Sequence, residues 1–538
     1  METLKRIPVE IETIPALLAS KAAEHPKKPA YCYLDGKGSW KMVSWEKFIS
    51  KIQKRTAQFQ KLGLEAGDRL AIMAPPCPEW EIADKAAMNL GAIVVGIDPR
   101  SSKQEIEHIL AHAKAAAVID KNDLDLVPEF LRSKMKFILD IKESVDLLEE
   151  EKGFEAHTSL DAPATLLYTS GTTGLPKGIL YTQSQLLEGC CALLKTLPKP
   201  RKDERTICWL PLSGLFQRMI NLCTLLSGGT IYFIENPQDI MKHLPKIGPS
   251  VFVAVPRFYE KLYAGIQEKL SAMPFWKRLF LKTLGKSFLR RTVAGPRLKF
   301  MITGSAPISK HILEFFASLG ILVLEAYGVS ENTIPIAMNT PSYFKLGSVG
   351  KALAANTVKL AEDGEILVTG PALFTGYYQE DSSHAFTSEG YYKTGDYGTL
   401  DSEGFLFLKG RKSEVFKTST GRKIAPSVIE EFYKEIPFID QIMVVGAGRK
   451  HLAGLITLKS SLFHQDPMAQ KQIEEEIQKV SLSLPPHQQI YQFAFLPHPF
   501  SIQGGELTPT LKLKRVVIEK KYSELISRLY SENEGTRI

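Results

Sequence analysis

Residues 166–178 read LLYTSGTTGLPKG, and the fold is best worked out from this stretch outward. Two leucines and Tyr168 run into Thr169, Ser170, Gly171, Thr172, Thr173 and Gly174, after which come Leu175, Pro176, Lys177 and Gly178. The apolar run is the end of a strand, and the residues after it form a loop suited to polyphosphate. Glycines let successive backbone N–H groups turn into one concavity, the hydroxyls of Thr169, Ser170, Thr172 and Thr173 add donors, and Lys177 closes the loop with positive charge. It is not a Walker A loop, which ends in Gly-Lys-Ser/Thr and opens a helix. Here a proline precedes Lys177 and a glycine comes after it. A mobile surface loop would share this composition, but it would rarely end in an ordered Pro-Lys-Gly between two apolar runs.

At 538 residues and 44% apolar composition the chain can bury a large core and is too long for one compact domain, so two or three are expected. The cysteines, Cys32, Cys77, Cys190, Cys191, Cys208 and Cys223, include no CxxC pair and read as unbridged thiols of a reducing compartment. The first residues carry scattered charge and lack the apolar core of a signal peptide, so a cytoplasmic protein is expected. Residues 219–234 lack charge but read as a buried helix, a Gly-Gly turn and a strand, not a membrane span.

The net charge of +8 is local: residues 266–299 hold nine Lys or Arg against one acid, Glu268. If residues 275–291 are helical, Arg278, Lys282, Lys286 and Arg290 recur every fourth residue, with Trp276, Phe280 and Leu284 roughly opposite. That pattern suits peripheral contact with an anionic membrane through 269–299, and it equally suits a surface helix packed on its own domain. One local cluster with no recognition motif gives no reason to expect nucleic-acid binding.

Between residues 43 and 120 helix and strand patterns alternate. SWEKFISKIQKRTAQFQKLG reads as a helix, DRLAIMA as a strand, PEWEIADKAAMNLG as a helix, AIVVGID as a strand and KQEIEHILAHAKA as a helix leading into AAVID. Such repeats predict an α/β fold with doubly wound, mainly parallel sheets, which bind ligands at the carboxyl ends of their strands. From Gly364 onward glycine and aspartate punctuate alternating residues, which predicts a small antiparallel β-barrel.

The loop at 166–178 resembles the signature loop of the adenylate-forming enzymes, the family of acyl-CoA synthetases, luciferases and peptide-synthetase adenylation domains, and further motifs appear in the family's order. KFMITGSAPIS places Gly304, Ser305 and Ala306 at the adenine-side loop. LEAYGVSEN places Tyr327 and Gly328 beside the base, followed by Ser330, and puts Glu331 where relatives bind Mg²⁺. GYYKTGD supplies Asp396 for the ribose hydroxyls, and Arg411 matches the arginine that also holds the ribose. VPRFYEKLY, LPLSGLFQR and GGELTPTLKLKR resemble the long-chain fatty acyl-CoA synthetase branch, with Lys512 at the position of the catalytic lysine. Gly214 departs from that branch, which commonly has histidine there.

The resemblance implies a large adenylating domain over residues 1–410 and a small, mobile α+β domain over 411–538, with a hinge near Glu414. It implies ATP, Mg²⁺ and coenzyme A as reactants and cofactor, and a long-chain fatty acid as substrate. Lys512, Glu331, Thr169 and Lys177 would carry the chemistry, and residues 169–174, 177, 304–306, 327, 328, 330, 396, 411 and 512 would hold the nucleotide. The alternatives are a fatty acyl-AMP ligase serving a different acceptor, a luciferase-like oxygenase, or a catalytically silent binding protein that keeps the fold. No obvious insertion lies between Glu331 and Asp396, against the first, and intact Lys177, Glu331, Asp396, Arg411 and Lys512 argue against the last.

Overall fold

A computed structural model describes residues 13–120, 124–143, 158–169, 175–200, 203–274, 286–459, 466–508 and 512–531. Two expectations fall outside them: Ser170, Gly171, Thr172, Thr173 and Gly174 of the 166–178 loop, and the basic stripe through Arg278 and Lys282.

The alternating stretch forms a six-stranded sheet in the order Phe137–Asp140, Ala117–Asp120, Arg69–Met73, Ile93–Ile97, Pro163–Tyr168, Gly178–Thr182. Its pairings are parallel until the last, where Pro163–Tyr168 and Gly178–Thr182 run antiparallel and flank the 166–178 loop. The Trp45–Lys61 helix, capped by Ser44, buries Trp45, Phe48, Ile52 and Phe59, a spacing that aligns one face with the core.

A second sheet has Val251–Ala254, Phe300–Gly304 and Val323–Tyr327 in parallel, followed by two short antiparallel strands. A third, of mixed direction, joins Trp40–Ser44, Pro29–Leu34, Thr230–Phe233 and Arg205–Cys208. Residues 219–234 match their reading: the Leu215–Leu226 helix, a turn at Gly228 and Gly229, and the Thr230–Phe233 strand. The Gly- and Asp-punctuated stretch becomes a four-stranded antiparallel sheet of Thr357–Leu360, Glu365–Thr369, Tyr392–Leu400 and Leu406–Arg411.

Beyond this sheet the chain builds a separate core. The Ile439–Val445, Leu452–Leu458 and Ile490–Leu496 strands form one sheet, with the Pro426–Lys434 and Pro467–Ser483 helices packed on it around Ile429, Tyr433, Ile442, Ile456 and Ile473. The molecule is therefore an α/β protein with sheets of mixed parallel and antiparallel pairing and a small C-terminal domain. Among the described residues no helix is long and apolar enough to cross a membrane.

Charge is also buried where no periodicity announced it. The Pro78–Asn89 helix is enclosed all round, so Glu81, Asp84 and Lys85 leave water with it. Lys85 pairs with Glu81 at 3.0 Å and Asp84 at 2.5 Å, and Arg218 pairs with Asp84 at 2.6 Å and donates to Thr165 Oγ1 at 2.7 Å. Two cations against two anions keep the cluster neutral, which burial of charge demands. Arg218, the last residue of LPLSGLFQR, thereby ties its helix to the strand that feeds the 166–178 loop.

Candidate active site

The 166–178 loop is the turn of a hairpin. Tyr168 faces Gly178 across it, and the N–H of Thr169 donates to the carbonyl of Lys177 at 3.0 Å, closing the loop at its base. Gly178 is tightly packed, since a Cβ there would lie 3.1 Å from both Leu166 and Tyr378. Lys177 reaches Glu380 at 2.7 Å and lies 4.8 Å over the Tyr377 ring. The Lys177–Glu380 pair is substantially solvent-exposed, so it is weak and readily exchanged for a stronger anion.

Tyr377 extends the arrangement to Glu331, donating its hydroxyl to Glu331 Oε1 at 2.7 Å. Its hydroxyl is 3.3 Å from that of Tyr392, and burial, then the Glu331 charge, pushes the Tyr377 phenol pKa up. Tyr181, on the far stem of the hairpin, donates to the carbonyl of Ser330 at 2.7 Å. The loop stems and the 327–331 turn are thus held as one unit. Neither Tyr377 nor Glu380 drew notice in the sequence, because what marks them is contact with residues far away along the chain.

Parallel strands place the next groups side by side. Gly304 lies so near the Val323–Tyr327 strand that a Cβ would come 2.9 Å from the carbonyl oxygen of Ala326. Ser305 comes next with φ of 71°, a left-handed conformation that a non-glycine residue adopts at a cost, and strain of this kind gathers at functional sites. Ser305 and Ala306 are exposed at the strand's carboxyl end, as is Gly328 across from them. Tyr327 is 6% exposed and donates its hydroxyl to Asp396 at 2.7 Å.

Asp396 and Arg411 are register partners on adjacent antiparallel strands, and the guanidinium Nε donates to the carboxylate at 3.0 Å. A cavity of about 430 Å³ opens beside them, lined by Val329, Glu331, Tyr392, Thr394, Gly395 and Arg411. Glu331 stands on its wall as a lone carboxylate, its own carbonyl fixed by the N–H of Phe374 at 2.8 Å. Among the described residues no cluster of three His, Cys, Asp or Glu forms a self-sufficient metal cage. The donor set suits a cation that takes most of its oxygens from phosphate and water, as Mg²⁺ does.

Lys512 comes to the same place from the small domain. Its N–H donates to Thr508 Oγ1 at 3.0 Å and its carbonyl accepts from Thr508 N–H at 2.9 Å, setting it in a small hairpin. Burial, then the Arg411 guanidinium, pulls the Lys512 ammonium below the usual lysine pKa, against the opposing pull of Asp396, Glu414 and Glu331. Asp396 and Arg411, assigned to the ribose, and Glu331, assigned to the metal, are therefore its electrostatic neighbours.

The two parts of the chain meet through polar contacts. The Arg257 guanidinium pairs with Asp440, Ser309 donates to Glu435 at 3.0 Å, and Lys514 pairs with Glu105 at 3.2 Å. Gly214 caps the Leu215–Leu226 helix with no side-chain bond, and a Cβ at Gly214 would meet nothing within 4 Å.

This fold, with a phosphate-type hairpin and a small-domain lysine at one cleft, is that of the adenylate-forming enzymes. The chain belongs to the AMP-binding enzyme family: residues 18–378 match its main domain and residues 414–534 match the AMP-binding enzyme C-terminal domain. It is 30% identical over 563 residues to the long-chain-fatty-acid–CoA ligase FadD15 of Mycobacterium bovis, spanning 92% of this chain and 93% of that protein. Two solved structures share the fold. One is the adenylation domain of a carboxylate reductase from Mycobacterium chelonae, with TM-score 0.84, 21% identity, and coverage of 99% of this chain and 93% of that one. The other is o-succinylbenzoate coenzyme A synthetase from Bacillus subtilis, in complex with ATP and magnesium, with TM-score 0.75, 23% identity, and coverage of 93% and 98%.

Proposed function

We propose that this chain activates a long-chain fatty acid with ATP through an acyl-AMP intermediate and then forms the thioester with coenzyme A. The observation that carries the reading is the placement of Lys512, which the small domain brings within the electrostatic reach of Asp396, Arg411 and Glu331. The substrate class rests on the relative named a long-chain-fatty-acid–CoA ligase, similar over 92% of the chain.

A carboxylate is a poor acyl donor because oxide would have to leave. In the first step a carboxylate oxygen attacks the α-phosphorus of ATP, the bond to the β-phosphate oxygen breaks, and pyrophosphate leaves. In the second, the thiol sulfur attacks the acyl carbon, AMP leaves with the former carboxylate oxygen, and the thiol proton passes to solvent. Charge gathers on phosphate oxygens in the first step, so the protein acts by positioning and electrostatics, with no nucleophilic side chain. Lys512 bridges the α-phosphate and the carboxylate. Thr169, Ser170, Gly171, Thr172, Thr173, Gly174 and Lys177 hold the departing pyrophosphate, with Lys177 leaving Glu380 to do so. Gly304, Ser305, Ala306, Tyr327, Gly328 and Ser330 bound the adenine, and Asp396 and Arg411 take the ribose. Mg²⁺, which Glu331 would hold, supplies charge neutralisation on the phosphates when bound.

The domain reading belongs with this: residues 1–410 form the large domain, 411–538 the small one, and the chain swings near Glu414 between the two steps. By resemblance the position of Gly214 lies near the acyl group, and the open space there leaves room that a histidine would fill. The protein is cytoplasmic in this reading, with peripheral contact to anionic membrane through the basic stretch 269–299. The test is AMP release with ATP, Mg²⁺ and acids from acetate to long-chain fatty acids, with and without coenzyme A. Sustained release with long chains only when coenzyme A is present is expected. Release indifferent to coenzyme A would favour an acyl-AMP ligase, and no release with any acid would favour the silent binding protein.

A further inference from the structure

The Lys103–Ala113 helix supplies no residue to the nucleotide site, yet one of its faces touches both halves of that site. Glu105, His108 and His112 are spaced three and four residues apart and so share that face. Glu105 divides its carboxylate between two tasks. Oε2 accepts from the N–H and hydroxyl of Ser102, both at 2.9 Å, completing a capping box at the helix start, while Oε1 meets Lys514 Nζ at 3.2 Å. Glu105 is therefore oriented by its own helix before the small domain arrives. His108 Nε2 donates to the carbonyl of Pro176 at 3.0 Å, and His112 Nδ1 lies 2.8 Å from the Tyr168 hydroxyl. Tyr168 ends the first strand of the phosphate hairpin, and Pro176 lies two residues before the second.

The other end of the contact is rigid as well. Lys514 N–H donates to the Glu506 carbonyl at 2.8 Å, and Leu507 bridges Leu513, so Lys512 and Lys514 lie on one short hairpin arm. Fixing Lys514 therefore fixes where Lys512 begins. Both side chains of the Glu105–Lys514 pair are about one-fifth exposed, at 21% and 22%, which shields the pair from screening by salt.

We infer that Glu105 and Lys514 are positioning residues that register Lys512 for acyl-AMP formation, and that His108 joins the same helix to the phosphate hairpin. The inference rests on the adenylation reading. The pair exists only while Lys512 is at the cleft. Its loss therefore slows the first half-reaction and leaves the second, run with the small domain swung away, untouched. Because the helix also carries His108, a shift of the hairpin as pyrophosphate leaves is felt at the Glu105–Lys514 contact.

The test is a double-mutant cycle on the full chain, with Glu105→Gln, Lys514→Gln and the pair together. Glutamine at 105 can still complete the capping box, so helix stability is spared and only the charge is lost. Each single variant is expected to slow single-turnover acyl-AMP formation about tenfold, and the double variant no further. Thioester formation from supplied acyl-AMP stays at the wild-type rate in all three. His108→Ala is expected to raise the KM for ATP, with rescue by His108→Gln, whose amide can still donate to Pro176. Multiplying single effects, or equal losses in both half-reactions, would overturn the inference while leaving the proposed function standing. A wild-type chain that forms no acyl-AMP at all would overturn both.

Discussion

Lys512 shows what a single residue can and cannot disclose. In LKLKR nothing in charge or spacing separates it from Lys514, and only resemblance to a family motif singled it out. The structure adds a physical distinction: burial and Arg411 lower its pKa, and it lies within reach of Asp396, Glu414 and Glu331. If the ammonium bridges phosphate and carboxylate, Lys512→Ala cuts acyl-AMP formation by about 100-fold or more, the scale of a lost oxyanion-stabilising donor. It largely spares thioester formation from supplied acyl-AMP, and single-turnover assays of each half-reaction read the difference. The direction of the shift also sets the sign of a pH effect. Only the protonated lysine can bridge, so wild-type adenylation declines with rising pH before an ordinary lysine, near about 10.4, would titrate. Asp396 and Arg411 were legible in the same motif-bound way, whereas Tyr377, which grips Glu331, was not. Its partner lies on a different element, and no local pattern encodes such a contact.

At the scale of elements, much of the alternating N-terminal half could be read directly. Helices such as Trp45–Lys61 advertise an apolar face, and buried strands such as Ile93–Ile97 are continuous apolar runs. The Pro78–Asn89 helix was legible as a helix but not as a carrier of buried charge, because Glu81, Asp84 and Lys85 find part of their compensation in Arg218. The segment around Glu414, which we propose as the hinge, is more finely built than its sequence suggests. Gly410 has φ of 104°, and the N–H of Glu414 donates to the Arg411 carbonyl at 3.1 Å. Glu414→Pro removes that bond and fixes φ. The expected outcome is near-normal acyl-AMP formation with thioester formation from supplied acyl-AMP slowed about tenfold or more. Glu414→Gln serves as the control, because it gives up the charge facing Arg515 and leaves the backbone able to turn.

For the whole molecule, the charge distribution raises a question that the elements do not. The excess of basic residues lies in 266–299, but Arg297 pairs with Asp203 at 3.0 Å and Lys299 with Glu204 at 3.6 Å, so part of it is already spent within the protein. If the remainder meets a membrane, the protein sediments with anionic vesicles, salt weakens the binding, and reversing Lys282 and Lys286 abolishes it. Wild-type protein that ignores such vesicles at low salt would rule the contact out. The relation of the two domains was beyond direct reading. It depends on pairs such as Arg257 with Asp440 and Lys514 with Glu105, whose members are far apart in sequence and unremarkable alone.

A fatty carboxylate that attacks ATP at the α-phosphorus must leave one of its own oxygens on AMP, so the fate of those oxygens distinguishes the acyl-adenylate route from others. A long-chain fatty acid labelled with ¹⁸O in both carboxylate positions, incubated with ATP, Mg²⁺ and coenzyme A, is predicted to deliver one labelled oxygen to AMP and keep the other in the thioester. Label in inorganic phosphate with ADP as product, or AMP formed without label, would contradict the acyl-adenylate route.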